Sequence, residues 1–452
     1  MKKFIDTLKN IWNIKELRQR ILYTLGLLAV FRLGSFIVLP GVNPDALQAS
    51  LGGNDLLSLI NVFTGGAFGN AAIFALGIMP YITASIIVQL LGFAVPYFQR
   101  LQQQEGESGR KKISQITRLL TVAITLVQGG AYLSYVQGMN AVDPNVSPGI
   151  FWLASIIILS TGTIFAMWLG ERITDRGIGN GISLLIMIGI IARLPQALIF
   201  EFTARLGASG LFLFVLELAA FFVVTLVTIA IVQAIRRIPI QFAKRMVGRG
   251  NQNIPQAGVR DYIPLKVNAA GVMPIIFAQA LMFLPLTVAQ YFVSDASQLS
   301  GGIVAQLSAP FSFLSSVISF ILVVFFTYIY TALLVNPQQY ADYLKRQNAF
   351  IPGIKPGKDT ADFIDNVTTR VTLPGSIFLG FITVIPAFAY AFGVNQAFAV
   401  FFGGTSLLIL VGVVLDTLQQ IESHLLMRKY DGLVKSGKLK GRSNVQGIGA
   451  PM

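Results

Sequence analysis

Three charged residues lie within long apolar stretches of the chain and are the first candidates for chemistry: Arg32, Glu217 and Asp416. Charged groups inside membrane-spanning segments usually mark ion or proton paths. Arg32 and Asp416, however, lie near the ends of their stretches, where a charged side chain reaches the polar interface. A proton-coupled carrier needs more acidic groups at mid-membrane, so this pattern favours a passive conduit whose energy comes from elsewhere.

Most other reactive groups are missing from the sequence. The chain has no cysteine and a single histidine, His424, which excludes disulfides, thiolate metal sites and multi-histidine metal sites. No G-x-x-x-x-G-K-[ST] loop, G-x-S-x-G elbow or H-E-x-x-H motif occurs. The glycine-rich stretch 177–181 follows a charged turn rather than a strand, so it is predicted to start a helix. We expect no enzyme activity and no cofactor.

The composition assigns the chain to the membrane. Of its 452 residues, 54% are hydrophobic and 12% are charged. A soluble domain carries roughly 25% charged residues, so this chain has too few to cover a surface that faces water. It is predicted to be an integral, all-α membrane protein with many spans.

Ten apolar stretches are long enough to cross a bilayer as helices. Lys and Arg alternate strictly between the loops that join them, and one side holds 31 of the 34. Because basic loops stay in the cytoplasm, both termini are predicted to be cytoplasmic. The predicted spans are 21–40, 73–96, 118–138, 150–170, 178–199, 210–235, 267–292, 310–335, 371–391 and 397–416.

The spans divide the chain into two halves of five. The predicted regions are a cytoplasmic segment at 1–20, a first half at 21–200, a second half at 210–416 and a cytoplasmic tail at 417–452. Because five is odd, the halves cross the membrane in opposite senses. Such an inverted repeat places a pathway at the interface between the halves.

Two features interrupt this regular pattern. The predicted cytoplasmic loops 236–266 and 336–370 are long and basic; they either act as orientation signals that contact lipid headgroups or dock a large anionic partner. The segment 56–72 is semi-apolar, rich in glycine and too short to span. It is either an amphipathic surface helix or a re-entrant helix whose backbone is satisfied by protein.

Several long motifs, in order, resemble the SecY family of protein-conducting channels in its bacterial form, over about residues 15–440. Any one of these motifs could occur by chance, whereas the ordered set is specific. The motifs are IFALGIMPYITASIIVQLL (73–91), EGESGRKK (105–112), WLGERITDRGIGNGIS (168–183), PLKVNAAGVMP (264–274), NP (336–337) and FGGTSLLI (402–409).

The resemblance implies a central pore between the halves, closed by an apolar ring and by a short re-entrant plug helix at 56–72. Isoleucine is stiff at χ1, and an apolar constriction blocks ions by dewetting. Each isoleucine by itself could equally face lipid or fill a core. The implied ring residues are Ile78, Ile82, Ile186, Ile276 and Ile409, and the implied plug residues are Asn61, Phe63, Gly65, Gly66 and Gly69.

The resemblance also implies a lateral gate through which hydrophobic segments enter the lipid. Thr83, Gln128 and Asn268 match the family's polar gate cluster, although each could be an ordinary contact between helices. Implied docking residues on the loops are Arg236, Arg237, Lys244, Arg245, Arg249 and Lys355. Lys355 stands where bacterial relatives typically have arginine, and lysine lacks the planar fork of a guanidinium.

The function implied is passage of unfolded polypeptides across the bacterial cytoplasmic (inner) membrane. The partners implied are the SecE and SecG subunits, the SecA motor ATPase, the ribosome, signal sequences, nascent polypeptides and membrane lipids. A secondary transporter is the alternative, although it requires ion-coupling acids that these spans largely lack. An intramembrane enzyme is a third class, for which the spans hold neither a histidine dyad nor a metal set.

Overall fold

The structure is a computed structural model. It describes residues 12–51, 61, 64–103, 106–139, 141–206, 210–242, 246–247, 254–255, 260–279, 281–282 and 311–435.

Most of the described chain is helical. The helices are α1 (Lys15–Gly34), α2 (Pro44–Leu51), α3 (Met79–Ala94), α4 (Pro96–Gln103), α5 (Gly106–Gly138), α6 (Pro148–Arg176), α7 (Gly181–Ala204), α8 (Gly210–Val232), α9 (Phe313–Leu334), α10 (Pro337–Arg346), α11 (Lys358–Ala391), α12 (Gln396–Ala399) and α13 (Gly404–Lys435). The strands are β1 (Ile235–Phe242), β2 (Met246–Val247), β3 (Ile254–Pro255), β4 (Arg260–Lys266) and β5 (Ala349–Phe350).

The helices match the predicted spans. Among the described residues, seven helices are long and apolar enough to cross a membrane, and they include α5, α6, α7, α8, α9, α11 and α13. Two of the other predicted spans overlap α1 and the shorter apolar helix α3. The remaining one, predicted at 267–292, is helical at 273–279 and 281–282 among its described residues. The polytopic helical fold is therefore confirmed.

The second span begins later than the sequence predicts. It was expected to start at Ile73, but residues 73–78 form turns and α3 starts only at Met79. Gly77 has a φ of +53°, which an α-helix does not accommodate. Pro80 occupies the first turn of α3, where its missing N–H costs nothing. These two residues place the start of the helix at this point.

One hydrophobic cluster extends through both predicted halves. It includes Leu28 of α1 and Ile190 of α7 from the first half, with Phe326 of α9 and Leu408 of α13 from the second. All four side chains are less than a tenth exposed. The two halves therefore share one core, and any pathway between them must pass through it.

A glycine-rich turn at the start of α7, in the first half, contacts the last helix of the second half. Asn180 caps the helix, since its side chain accepts hydrogen bonds from the backbone N–H groups of Ile182 and Ser183. Gly179 N donates to Gln420 Oε1 of α13 over 2.8 Å. This stretch starts a helix, as the sequence predicts, and it also ties that helix to the last span.

The loops that join the second-half spans form a small sheet, which was not predicted. Its strand order is β4-β1-β5, and β1 pairs antiparallel with both neighbours. Ile238 and Ile240 of β1 are buried, whereas Arg237 and Pro239, which alternate with them, are exposed. This alternation of buried and exposed residues is the signature of a strand with one covered face.

The sheet unites the two long basic loops. Its covered face packs against Leu344 of α10, against Ile364 of α11 and against Ile351, which lies in the loop between these helices, to form a separate hydrophobic cluster. The loops 236–266 and 336–370 therefore share one small core, which gives their exposed basic residues a rigid support.

Candidate functional site

The five predicted ring isoleucines belong to the shared core. Ile78, Ile82, Ile186 and Ile409 are 5%, 8%, 7% and 3% exposed, and Ile276 is partly buried against the same cluster. None of the five lies among the lipid-exposed side chains. They come from α3, α7, α13 and the helical residues 273–279, so helices of both halves contribute.

Local structure explains how α3 presents two of these residues. Ile78 is the N-cap of α3, and its carbonyl accepts a hydrogen bond from Ile82 N at 3.1 Å. Residues four positions apart lie on the same helix face. The turn at Gly77 and Pro80 therefore starts the helix so that Ile78 and Ile82 face the core together.

The described part of the predicted plug is buried. Residues 64–69, 71 and 72 are all buried, which argues against an amphipathic helix on the surface. The segment consists of turns held by Asn61, whose backbone carbonyl accepts from Gly66 N and whose Oδ1 accepts from Gly69 N at 2.9 Å. Phe63 lies outside the described residues.

The two glycines of the predicted plug form a turn that no other residue could adopt easily. Gly65 and Gly66 have φ values of +66° and +94°. A Cβ on Gly65 would lie 2.8 Å from the Cα of Gly189 in α7, so the turn packs backbone to backbone on that helix. The pair Gly65-Gly66 therefore permits the close approach that buries the segment.

Two arginines contact this turn, and sequence reasoning missed both roles. Arg32 was expected to reach the interface, but its Nη1 donates to the carbonyl of Gly65 over 2.5 Å. Arg193 was counted as a loop charge, but it lies within α7 with its guanidinium against Gly66. The sequence did contain a hint: Arg32 and Arg193 are among the few basic residues that lie outside the predicted cytoplasmic loops.

The predicted gate residues are not joined by hydrogen bonds in this structure. Thr83 donates to the carbonyl of Met79 in its own helix, at 3.0 Å. Asn268 is 6% exposed, and its Oδ1 has no hydrogen-bond partner. Gln128 of α5 is half-buried. A buried amide oxygen without a hydrogen-bond partner is costly. A movement of the helices that supplied a donor to Asn268 would therefore be favourable.

The predicted docking residues that are described lie on the small sheet and on a nearby turn. Arg236 and Arg237 are exposed on β1, and Arg237 stacks over the ring of Tyr262 at 4.8 Å. Lys355 is exposed on the turn that precedes α11. Lys244, Arg245 and Arg249 lie outside the described residues.

A second polar network lies where α7 meets α8. Glu201 is 1% exposed; its Oε1 accepts from Arg205 Nε and its Oε2 accepts from the backbone N–H of Asn395. Arg205 also donates to Glu217 at 2.7 Å and to the carbonyl of Gly393. Glu217, the acidic residue within the sixth predicted span, is thus paired with Arg205 through Oε1, while its Oε2 is buried without a hydrogen-bond partner.

No group of acidic and histidine side chains suited to a metal occurs within the described ranges. The described residues bring together a set of buried isoleucines, a buried segment beside them and an exposed basic surface.

Comparison with known proteins decides the family. A sequence model of the SecY family matches residues 72–418. The chain belongs to the SecY family. It is 39% identical to the protein translocase subunit SecY of Chlamydia muridarum over 96% of this chain and 99% of that protein. It is 42% identical to SecY of Streptomyces scabiei, over 93% and 97% of the two chains.

Solved structures support the same fold. A protein-conducting channel matches with a TM-score of 0.61 at 19% identity, over 92% of this chain and 94% of that one. A SecY channel whose plug domain stabilises the closed state matches with 0.58 at 18% identity, over 92% and 93%. Sec61 of the canine ribosome-channel complex matches with 0.59 at 18% identity, over 92% and 94%. As a SecY-family translocase subunit, this multi-pass membrane protein is a channel component and not an enzyme.

Proposed function

We propose that the isoleucine ring and the segment 56–72 together seal a pore that conducts unfolded polypeptides across the bacterial cytoplasmic membrane. The observation that carries this proposal is the burial of all five isoleucines in or against a core shared by both halves. An apolar constriction excludes ions while offering a passing chain no hydrogen bonds to hold it. The buried turns at 64–72 add a second barrier beside the ring.

The same arrangement provides for sideways release of hydrophobic segments. Thr83, Gln128 and Asn268 lie on three different membrane segments, and polar contacts between helices in lipid contribute only ~0.6 kcal/mol each on average. Because the three residues make no hydrogen bond to one another in this structure, little holds this seam closed, and it opens reversibly. A signal sequence or apolar segment then partitions into lipid, while polar chain segments cross the pore.

The proposed orientation places both termini and the basic sheet in the cytoplasm. The strict alternation of basic loops supports it, and the bacterial relatives support the inner membrane as the location. The inverted relation of the two five-span halves remains part of this proposal.

The proposed partners follow from surfaces and relatives. Arg236 and Arg237 present positive charge on a rigid sheet, which suits the anionic surface of a ribosome, the partner of the canine relative. We assign the same surface to the SecA motor ATPase, and we expect single-span SecE and SecG subunits to pack against exposed apolar helix faces. No cofactor has a role in this mechanism.

A photo-crosslinking experiment tests the proposal. A photoreactive residue at Ile186, in the ring, is expected to crosslink to a secretory chain stalled during translocation. The matched control is Phe212 of α8, which is 76% exposed and faces lipid. Adducts from position 212 and none from 186 would show that the chain takes another path.

A further inference from the structure

The guanidinium groups of two membrane-spanning helices converge on one turn of the proposed plug. Arg32 of α1 donates from Nη1 to the carbonyl of Gly65 at 2.5 Å. Arg193 of α7 lies against the next residue, Gly66. The two arginines are far apart in sequence and come from different spans, so only the folded chain brings them to the same turn.

The turn fits closely around these groups. A Cβ on Gly66 would overlap Nη2 of Arg193 and lie 2.7 Å from its Cζ. A Cβ on Gly65 would lie 2.8 Å from Nη1 of Arg32. Real Cβ atoms do not approach other atoms so closely, so any side chain here would displace a guanidinium. The glycines therefore serve the contact with the arginines as well as the shape of the turn.

One face of α7 connects this contact to the ring. Ile186, Gly189 and Arg193 follow one another at spacings of three and four residues, which places them on one helix face. Ile186 is a ring residue, Gly189 packs against Gly65, and Arg193 covers Gly66. The helix that contributes to the apolar seal thus also holds the segment beside it.

Both arginines depend on polar partners in an apolar setting. A charged side chain within a membrane-spanning segment is costly unless it is paired. Arg32 also stacks over the ring of Phe36 at 4.7 Å, and Arg193 donates to Gln196 at 2.9 Å. If the plug moves away, Arg32 loses its hydrogen bond to the carbonyl of Gly65, and the guanidinium of Arg193 loses its packing against Gly66.

We propose that Arg32 and Arg193 form a latch that holds the plug in the closed pore. The latch opens when carbonyl groups of an incoming polypeptide replace that of Gly65. This proposal rests on the proposed function, because it requires the segment at 64–72 to be a movable plug. Arg32 and Arg193 are positioning residues, and they act by setting the ratio of closed to open channel.

The absence of cysteine from the chain makes the test simple. Ala67 is 0% exposed within the plug, and the variant Ala67→Cys places the only thiol of the protein there. The full chain, assembled with its partner subunits in proteoliposomes, is labelled with a membrane-impermeant maleimide. Arg32→Gln, Arg193→Gln and the double variant, each in this background, are expected to raise the labelling rate. For Arg32→Gln we expect a rise on the order of tenfold, the effect of losing its charge-assisted hydrogen bond to Gly65. For Arg193→Gln we expect a smaller rise, because Arg193 packs against Gly66 without a hydrogen bond to the plug.

The matched control removes an equal charge elsewhere. Arg118→Gln breaks an exposed pair with Glu171 and is expected to leave the labelling rate of the introduced thiol unchanged. Arg193→Lys keeps the charge but lacks the planar group, so it is expected to raise the rate and replaces Arg193→Gln if that variant fails to fold. An unchanged rate in every Arg32 and Arg193 variant that folds overturns the latch.

A signal-sequence peptide separates failure of the latch from failure of the plug. The peptide is expected to speed labelling of the introduced thiol in the chain that retains both arginines. If it does so while the arginine variants behave like that chain, the latch is wrong and the plug stands. If the peptide has no effect and the arginine variants also label slowly, both the plug and the latch are wrong.

Discussion

At the scale of single residues, the proposed seal depends on side-chain type at five positions. Isoleucine fills volume, offers no hydrogen bond and has few χ1 rotamers. Replacing Ile78, Ile82, Ile186, Ile276 and Ile409 with Ser would add hydroxyl groups that hold water in the constriction. We expect ion conductance across planar bilayers to rise several-fold, because a wetted constriction no longer excludes ions.

The control for that experiment is a lipid-facing isoleucine. Ile157 of α6 is 56% exposed, and Ile157→Ser makes the same chemical change away from the core. It is expected to leave conductance unchanged. Equal conductance in the five-residue variant and the unaltered channel would show that these residues do not form the seal.

A second residue-scale prediction concerns the buried carboxylate of Glu201. It binds both Arg205 and the backbone of Asn395, at 3.0 and 2.8 Å. Without Glu201, Arg205 keeps its ion pair with Glu217, but the backbone N–H of Asn395 loses its acceptor, and leaving a buried polar group unsatisfied costs ~1–3 kcal/mol. Glu201→Ala is therefore expected to lower the melting temperature of the protein in detergent clearly.

Glu171 provides the comparison for Glu201, since it pairs with Arg118 in a more exposed position. Exposed pairs contribute ~0–1 kcal/mol, so Glu171→Ala should shift the melting temperature little. Equal shifts in the two variants would contradict the structural role assigned to Glu201.

At the scale of elements, hydropathy and charge were sufficient to predict the spans, but they did not predict the turns and strands that connect them. The spans can be predicted from composition because a segment in lipid must satisfy its backbone hydrogen bonds within a helix and present apolar side chains to the lipid. The start of α3 was misplaced because the apolar run continues from Ile73, whereas a single φ of +53° at Gly77 ends the preceding turns. Hydropathy does not register such a turn.

The small sheet and the contacts of Arg32 and Arg193 with the turn at 65–66 were missed for a different reason. Ile238 and Ile240 alternate with exposed residues, but basic residues dominate this loop and mask the pattern of a strand. The contact of Arg32 with Gly65 spans 33 residues of chain. Contacts between distant segments leave no periodic pattern in the sequence, so they appear only once the chain is folded. The site was accessible from the sequence mainly through its resemblance to a known family.

The small core beneath the sheet gives the next prediction. Ile364 of α11 is fully buried among residues from both basic loops. Ile364→Ala is expected to cost ~2–5 kcal/mol locally, the usual effect of emptying a buried isoleucine site. Limited proteolysis should then cut the loops 236–266 and 336–370 faster, whereas the exposed change Tyr343→Ala on α10 should have no effect. Unchanged proteolysis in the Ile364 variant would mean that the loops do not depend on this core.

The plug segment can also be tested as an element. Residues 64–69 are buried beside the ring, so deleting 58–70 removes one of the two proposed barriers. We expect longer or more frequent spontaneous openings in single-channel recordings, with translocation retained because the ring remains. A channel that stays permanently silent would argue that this segment is not a plug.

At the scale of the whole molecule, the basic docking surface is separate from the proposed seal. The chain carries a net charge of +14, yet the isoleucine ring is apolar and most of the basic residues lie in the predicted cytoplasmic loops. The sheet that displays Arg236 and Arg237 rests on its own core, apart from the core of the spans. The proposed docking surface and the proposed seal therefore lie in different parts of the molecule, and changing one should leave the other intact.

Charge reversal on the sheet tests this separation. Arg236→Glu with Arg237→Glu is expected to weaken binding of ribosomes to proteoliposomes by about tenfold or more and to reduce its dependence on salt, because fewer cations contact the RNA. The matched control reverses the exposed Arg100 and Arg110, an equal change in net charge outside the sheet. Resting ion conductance should stay low in both variants. Equal loss of ribosome binding in both would show that net charge, and not the supported sheet, provides the docking surface.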